Sequence, residues 1–315
     1  MRILFMGTPQ FAVNCLTQLY NENYEIAAVV TQPDKPKGRG HKMMPTPVKE
    51  KALELSIPVY QPATLKDGAF LQELNSIHPD IIVVVAYGKI LPNYIIEYPK
   101  FHCVNVHASL LPKYRGAAPI QRCIMDGENE TGVTTMLMDT GLDTGDMLLT
   151  KKTPILPDET SDELTQKLSM IGAKVLIETL KAIETNSIVP QKQDGIKATY
   201  AHMIERDTGL LDFSNPGTKL LNLIRAVDAY TYYNGKKLKV LKARFLPIDN
   251  MKKPFGTILK VSPDGVDVSV SDGVLLLNRI QMEGKKAMDV CDYLRGNSIE
   301  EGVILSADSE INDLK

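Results

Sequence analysis

Apolar residues recur along this chain in two rhythms. Short continuous runs at residues 3–6, 26–30, 81–86, 103–106 and 133–138 are aliphatic or β-branched and read as buried strands. Between them, stretches such as 11–19 and 48–55 place apolar residues three and four apart, the spacing of an amphipathic helix. Strand followed by helix, repeated, predicts an α/β domain with a Rossmann-like, mostly parallel sheet. Thr160 followed by Glu163 makes a capping box that opens a helix reaching about Ile183, closing a first domain over residues 1–188. Residues 189–204 shift to polar and turn-forming types and read as a linker. From 205 to 315 the pattern changes again. One helix over 220–227 precedes short alternating runs punctuated by Asn234-Gly235, Pro263-Asp264-Gly265 and Asp272-Gly273. About five strands joined this way predict a small C-terminal OB-like β-barrel of the oligonucleotide-binding type.

Composition sharpens this picture in a few places. A length of 315 residues suits two domains, and 43% hydrophobic residues supply a sizeable core. The net charge of −2 excludes a global attraction to nucleic acid, so any RNA contact must come from local patches. Residues 34–51 are one such patch: Lys35, Lys37, Arg39, Lys42, Lys49 and Lys51 stand against Asp34 and Glu50. Pro36, Gly38, Gly40, Pro45 and Pro47 argue against regular structure there, which predicts a mobile basic loop above the sheet. Lys236, Lys237, Lys239, Lys242 and Arg244 form a second patch, either a phosphate-contacting face or simply a solvated one. Cys15, Cys103, Cys123 and Cys291 have neither paired nor metal-ligand spacing, so they are expected to be reduced core residues and no metal is expected. The apolar start, Met1 to Met6, is a strand's length rather than a signal or membrane segment, giving a cytoplasmic expectation. The turn Gly7-Thr8-Pro9 lacks the GxGxxG pattern and does not read as a dinucleotide site.

The candidate chemistry centres on the strand at 103–107. Alternation puts Asn105 and His107 on one face, toward the carboxyl end of the strand, where open α/β sheets place their ligands. Asparagine offers two N–H donors, and histidine donates, accepts or changes charge near neutral pH. Together they suit a carbonyl that becomes an oxyanion. Asp143, flanked by Gly141 and Gly145, can bend back to orient the imidazole or relay a proton. Each residue alone is more commonly structural. An amide, an imidazole and a carboxylate without a thiol or hydroxyl favour transfer of an activated one-carbon group to an amine over hydrolysis.

The run Asn105-Val106-His107-Ala108-Ser109-Leu110-Leu111-Pro112, followed by Arg115-Gly116-Ala117-Ala118-Pro119-Ile120-Gln121 and Leu142-Asp143-Thr144-Gly145-Asp146, resembles the formyltransferase family that uses 10-formyltetrahydrofolate. Met6-Gly7-Thr8-Pro9, Thr31-Gln32-Pro33-Asp34, Gly38-Arg39-Gly40, Met44-Pro45-Thr46-Pro47-Val48-Lys49 and Val85-Ala86-Tyr87-Gly88 extend the resemblance toward the branch that formylates methionyl-tRNA. It covers most of the chain and is strongest over residues 1–180. The resemblance implies that Asn105, His107 and Asp143 are catalytic and that Ser109, Leu110, Leu111 and Pro112 line the folate site. It further implies that Arg39, with Lys37 and Lys42 beside it, meets the tRNA acceptor end. The formyl donor is then 10-formyltetrahydrofolate, the partner methionyl initiator tRNA, and the enzyme a monomer with no membrane partner. One departure is visible: Val227-Asp228 leads directly into Ala229-Tyr230-Thr231, where the family usually carries a longer stretch with Asn-Pro-Trp-Pro. Two alternatives stay open, a formyltransferase for a small amine such as a glycinamide ribonucleotide or amino sugar nucleotide, and a nucleic-acid-binding module on an inactive sheet. The basic loop and terminal barrel weigh against the first, the clustered polar residues against the second.

Overall fold

The computed structural model describes residues 1–37, 42–248 and 252–307. They divide into two compact units, one of residues 1–119, 130–155 and 162–202, the other of 120–129, 156–161 and the chain from Met203 onward. The segment expected as a linker therefore travels with the first unit up to His202. Among the described residues no helix is long and apolar enough to cross a membrane.

The first unit is organised around β1 (Arg2–Gly7), whose residues from Ile3 to Met6 are fully buried. A strand covered on both faces has no polar alternation, which is why these runs read as continuous apolar sequence. After β1 come α1 (Gln10–Asn21), β2 (Glu25–Val30), the short β3 (Lys35–Lys37) and β4 (Lys42–Met44), then α2 (Pro47–Glu54) and β5 (Val59–Tyr60). Helix α2 is capped as its sequence suggests: Lys49 N–H donates to the Thr46 hydroxyl at 3.1 Å, and Pro47 occupies the first turn. Next are α3 (Leu71–Ile77), β6 (Ile81–Val85), α4 (Asn93–Ile96), β7 (Cys103–His107) and β8 (Arg115–Gly116); after α5 (Pro119–Met125), whose residues from Ile120 belong to the second unit, come β9 (Glu130–Leu137), β10 (Met147–Pro154), α6 (Ser161–Glu184) and β11 (Tyr200–Ala201). The main sheet has the order β10-β9-β7-β6-β1-β2-β5. It is parallel from β5 through β7, while β9 and β10 run antiparallel. The chain winds outward from β1 in both directions, so the switch in strand order lies between β1 and β6.

One expectation is corrected here. Residues 35–37 and 42–44 are not loop but the arms of a two-stranded ribbon, with Pro36 opposite Met43. In an antiparallel pair every second residue turns its N–H away from the partner, so a proline costs nothing at such a position. Part of the patch charge is also spent locally: Lys49 pairs with Asp34 at 2.7 Å and Lys51 with Glu54 at 2.6 Å, while Lys35 donates to the neutral Gln32 amide at 3.0 Å. The Lys49 and Gln61 hydrogen bonds hold the Asp34 carboxyl below the usual carboxylate range. Arg39 lies outside the described residues, as do the side chains of Lys37 and Lys42. The segment read as a linker is held by backbone bonds. Gln191 and Met147 exchange two hydrogen bonds of 2.8 Å, and β11 adds parallel to β8. Composition reveals that such a segment can turn, but not which distant loop will satisfy its backbone groups.

The second unit contains α7 (Gly217–Ala226), β12 (Tyr230–Tyr233), β13 (Lys236–Pro247), β14 (Ile258–Ser262), β15 (Gly265–Val270), β16 (Gly273–Met282), β17 (Met288–Asp289) and α8 (Val290–Leu294). The sheet order is β12-β13-β16-β15-β14, all antiparallel, with β17 on β16. Residues 303–306 join its two edges: Ile258 N–H donates to Val303 O at 2.8 Å, Leu305 N–H to Gly256 O at 2.9 Å, and Tyr232 and Ser306 exchange two bonds of 3.1 Å. The expected turns are all present, and Asn234 (φ 47°) and Gly235 (φ 72°) form the left-handed pair a tight hairpin requires. A bulge in β13 between Val240 and Lys242 shifts its register against β16. Leu238 and Val240 are buried before it, and Lys242 and Arg244 are exposed after it, so the extra residue keeps successive cations outward. Lys237 sits over the Tyr230 ring at 3.4 Å and Lys239 pairs with Asp228 at 3.3 Å.

One buried group in the first unit is left unsatisfied. Tyr87 is 1% exposed within the cluster of Leu4, Met6, Phe70 and Ile95, and its hydroxyl has no partner among the described residues. Burial pushes its pKa up to about 12. Because an unmatched buried polar group costs about 1–3 kcal/mol, Tyr87→Phe is expected to stabilise the protein by roughly 1 kcal/mol in urea unfolding. An unchanged or lowered midpoint would mean that the hydroxyl is satisfied in solution.

Candidate active site

Strand β7 presents two different faces. Val106 pairs in register with Thr135, whose hydroxyl meets that of Thr179 on α6 at 2.7 Å, so this face looks toward α6. Asn105 and His107 occupy the other face, with Cys103, which packs among Leu4, Met6 and Val84. His107 is 6% exposed. Its Nε2 lies 2.9 Å from Tyr114 O, and a carbonyl only accepts, so Nε2 carries a hydrogen and donates it. The Nδ1 atom is thereby left facing the Asp143 carboxylate at 3.6 Å.

Asp143 arrives from an unexpected side. Because β9 runs antiparallel to β7, the loop after β9 begins at the amino end of β7, where Met138 N–H donates to Cys103 O at 2.8 Å. It then doubles back over the face. Leu137 N–H donates to Asp146 O at 2.9 Å, and Gly145 lies so close beneath that an added Cβ would stand 1.9 Å from Leu137 O. Gly141 N–H and the Thr144 hydroxyl both donate to the Asp139 carboxylate, closing the loop on itself. Asp143 adopts a left-handed φ of 52°. Its Oδ2 accepts from Gly116 N–H at 2.8 Å and its Oδ1 from Asn105 Nδ2 at 3.5 Å. The three polar residues read from the sequence are thus within reach of one another, over the sheet face rather than beyond the strand's end.

The segment after β7 is fixed by Thr134. Its hydroxyl donates to Ser109 O at 2.8 Å and accepts from Leu111 N–H at 3.2 Å. Ser109 is buried, its hydroxyl donating to Lys113 O at 2.6 Å, and Leu111 is buried too. Leu110 and Pro112 are half-buried. Sequence reasoning missed Thr134 and Gln193. The latter's amide nitrogen donates to Asp143 O at 2.8 Å and Gly145 O at 2.7 Å, while its oxygen accepts from Arg115. Nothing in a polar stretch read as linker singles Gln193 out, since its partners are remote in sequence.

A parallel sheet with an antiparallel extension, carrying an amide, an imidazole and a carboxylate over one strand, is the arrangement of a formyl-group transferase. The chain belongs to the formyl transferase family: residues 1–180 match the formyl transferase domain and residues 203–298 the formyl transferase C-terminal domain. It is 51% identical to the methionyl-tRNA formyltransferase of Clostridioides difficile (strain 630), over 97% of this chain and all of that one. Its identity to the protein of that name from Caldanaerobacter subterraneus subsp. tengcongensis is 49%, with the same coverage. Among solved structures it is similar in fold to WlaRD, a sugar 3N-formyl transferase (TM-score 0.64, 23% identity, 91% of this chain and 99% of that one). HypX from Aquifex aeolicus in complex with tetrahydrofolic acid also shares the fold (TM-score 0.62, 15% identity, 96% of this chain and 50% of that one).

The hydrogen bond from Gly116 to a carboxylate is directly measurable. Bonds to charged groups contribute about 1.5–3 kcal/mol, so Asp143→Ala is expected to speed amide hydrogen exchange at Gly116 by roughly 10- to 100-fold. Unaltered protection at that amide would show that another group closes the turn.

Proposed function

We propose that this chain transfers a formyl group from 10-formyltetrahydrofolate to the α-amine of methionyl initiator tRNA, working as a cytoplasmic monomer, with Asn105, His107 and Asp143 as its catalytic residues. The observation that carries the reading is the convergence of those three side chains, with no thiol or hydroxyl nucleophile among them, in a chain half identical to proteins named for this activity. 10-Formyltetrahydrofolate supplies a one-carbon group already activated toward amines. Asn105 Nδ2 donates to the formyl oxygen as the amine adds to the carbon and the oxygen gains charge. His107, oriented through Nε2 by Tyr114 O, presents the Nδ1 lone pair to the site and shares the charge stabilisation once that nitrogen carries the proton lost by the amine. Asp143 receives the proton that the attacking amine loses, directly or through Nδ1, and the proton returns to the departing nitrogen of tetrahydrofolate. Leu110 and Pro112 line the folate site with their half-buried flanks, whereas the buried Ser109 and Leu111 shape it through the backbone. Lys37, Arg39 and Lys42 contact the acceptor end.

The test is formyl transfer to purified methionyl initiator tRNA measured against glycinamide ribonucleotide and an amino sugar nucleotide. Turnover is expected with the tRNA, and Asp143→Asn is expected to lower it about 10²- to 10⁴-fold. Preference for a small amine would overturn the substrate, and near-full turnover in the variant would remove Asp143 from the mechanism.

Arg39 gives a separate expectation. Arginine pairs phosphates through a rigid donor fork, and each phosphate neutralised on duplex nucleic acid adds a salt slope of about −0.9. Arg39→Leu should therefore lose most formylation of the tRNA, retain folate binding and melting temperature, and show a shallower dependence on salt. Identical activity and salt dependence in variant and wild type would dismiss the contact.

A further inference from the structure

We propose that Gln193 is a positioning residue that holds Asp143 in its working conformation, an inference that rests on the catalytic role given to Asp143 above. The side chain is used completely. Both hydrogens of its amide go to the loop, to Asp143 O at 2.8 Å and Gly145 O at 2.7 Å. Its oxygen accepts from Arg115 Nε at 3.0 Å and from the guanidinium's terminal nitrogen NH2 at 2.8 Å. A guanidinium can only donate and a carbonyl only accept, so the amide has one orientation that satisfies all four bonds.

The bonds close a ring. Arg115 is 6% exposed and continues into Gly116, whose N–H holds the Asp143 carboxylate at 2.8 Å. Gln193 therefore fixes the backbone of the residue whose side chain Gly116 fixes. A non-glycine residue at φ 52° needs such support, because the left-handed region costs of order 1–2 kcal/mol for an ordinary side chain. Gln193 is itself anchored on both sides, by the Gln191–Met147 pair and by Thr199, whose carbonyl accepts from Arg115 N–H at 2.9 Å.

The experiment compares turnover, Michaelis constants and melting temperature for Gln193→Ala, Gln193→Glu, Asp143→Asn and the double variant Gln193→Ala/Asp143→Asn. Misplacing a catalytic group by about 1 Å costs up to roughly 10²-fold, so Gln193→Ala should lower kcat about 10- to 100-fold with both KM values and the melting temperature little changed. Gln193→Glu keeps the acceptor for Arg115 and loses both donors to the loop, and should be as slow as Gln193→Ala. In the Asp143→Asn background the alanine change should cost under about twofold, since both substitutions remove one function. Wild-type turnover in Gln193→Glu, or fully additive losses in the double variant, would overturn the proposal by showing that Gln193 serves only Arg115 or the fold. A slow Asp143→Asn beside a fast Gln193→Ala would also overturn it while sparing the role of Asp143. A fast Asp143→Asn would overturn both.

Discussion

A half-buried carboxylate must be hydrogen-bonded, and the loops around Asp143 are arranged to meet that demand. Its side chain is 15% exposed, which removes most of the water that would otherwise solvate the charge. The replacement donors come from two segments remote in sequence, Gly116 N–H and Asn105 Nδ2, and the backbone carbonyl is bound by a third, Gln193. Each bond is ordinary. Together they tie β7, the turn at 115–116, the loop after β9 and the segment at 191–201 into one cluster, and displacing any one strips donors from the others.

That cluster sits on a rigid base. Strands β1, β6 and β7 are buried on both faces, so the alternation of β7 aims Asn105 and His107 without freedom to slip: a one-residue shift would turn both toward α6 and bring Val106 to the site. The threonines of β9 extend the rigidity, Thr135 toward α6 and Thr134 toward the backbone of residues 109–111. Single hydroxyls thus substitute for backbone ladder bonds where the chain leaves the sheet, which keeps the irregular segment above β7 from drifting.

The second unit uses a different economy. Along β13 and β16 buried positions alternate with half-buried or exposed ones, so edges and charges need handling that a two-face-buried sheet avoids. Residues 303–306 occupy both open edges, and the β13 bulge keeps cations pointing out as the strand bends. The cations on this face are not equivalent: Lys237 lies over the Tyr230 ring and Lys239 faces Asp228, whereas Lys242 and Arg244 stand exposed. A patch counted from sequence overstates the charge available to a partner, as it does for Lys49 and Lys51 in the first unit.

The sequence by itself determined the features that depend on near neighbours. Continuous apolar runs specified the central strands, Thr46 and Pro47 specified the start of α2, and Asn234-Gly235 specified the β12–β13 turn, since each rests on periodicity or on backbone preferences a few residues long. The same locality placed Asn105 and His107 on one face and set the start of α6 at Ser161, directly after Thr160. Helix α7 begins at Gly217, three residues before the apolar pattern shows it, because its first turn is held by Asp272, which accepts from Gly217 N–H at 2.8 Å. Tertiary structure alone decided the rest: that β9 turns antiparallel and sends Asp143 over the sheet face, that a proline-bearing basic stretch pairs as a ribbon, and that an apparent linker supplies Gln193. For the loop after β9 and for Gln193 the deciding hydrogen bonds join segments tens of residues apart, whereas the ribbon pairs residues as near as Lys37 and Lys42; in all three the energy that selects them belongs to burial and backbone satisfaction in the assembled fold rather than to the preference of any single residue.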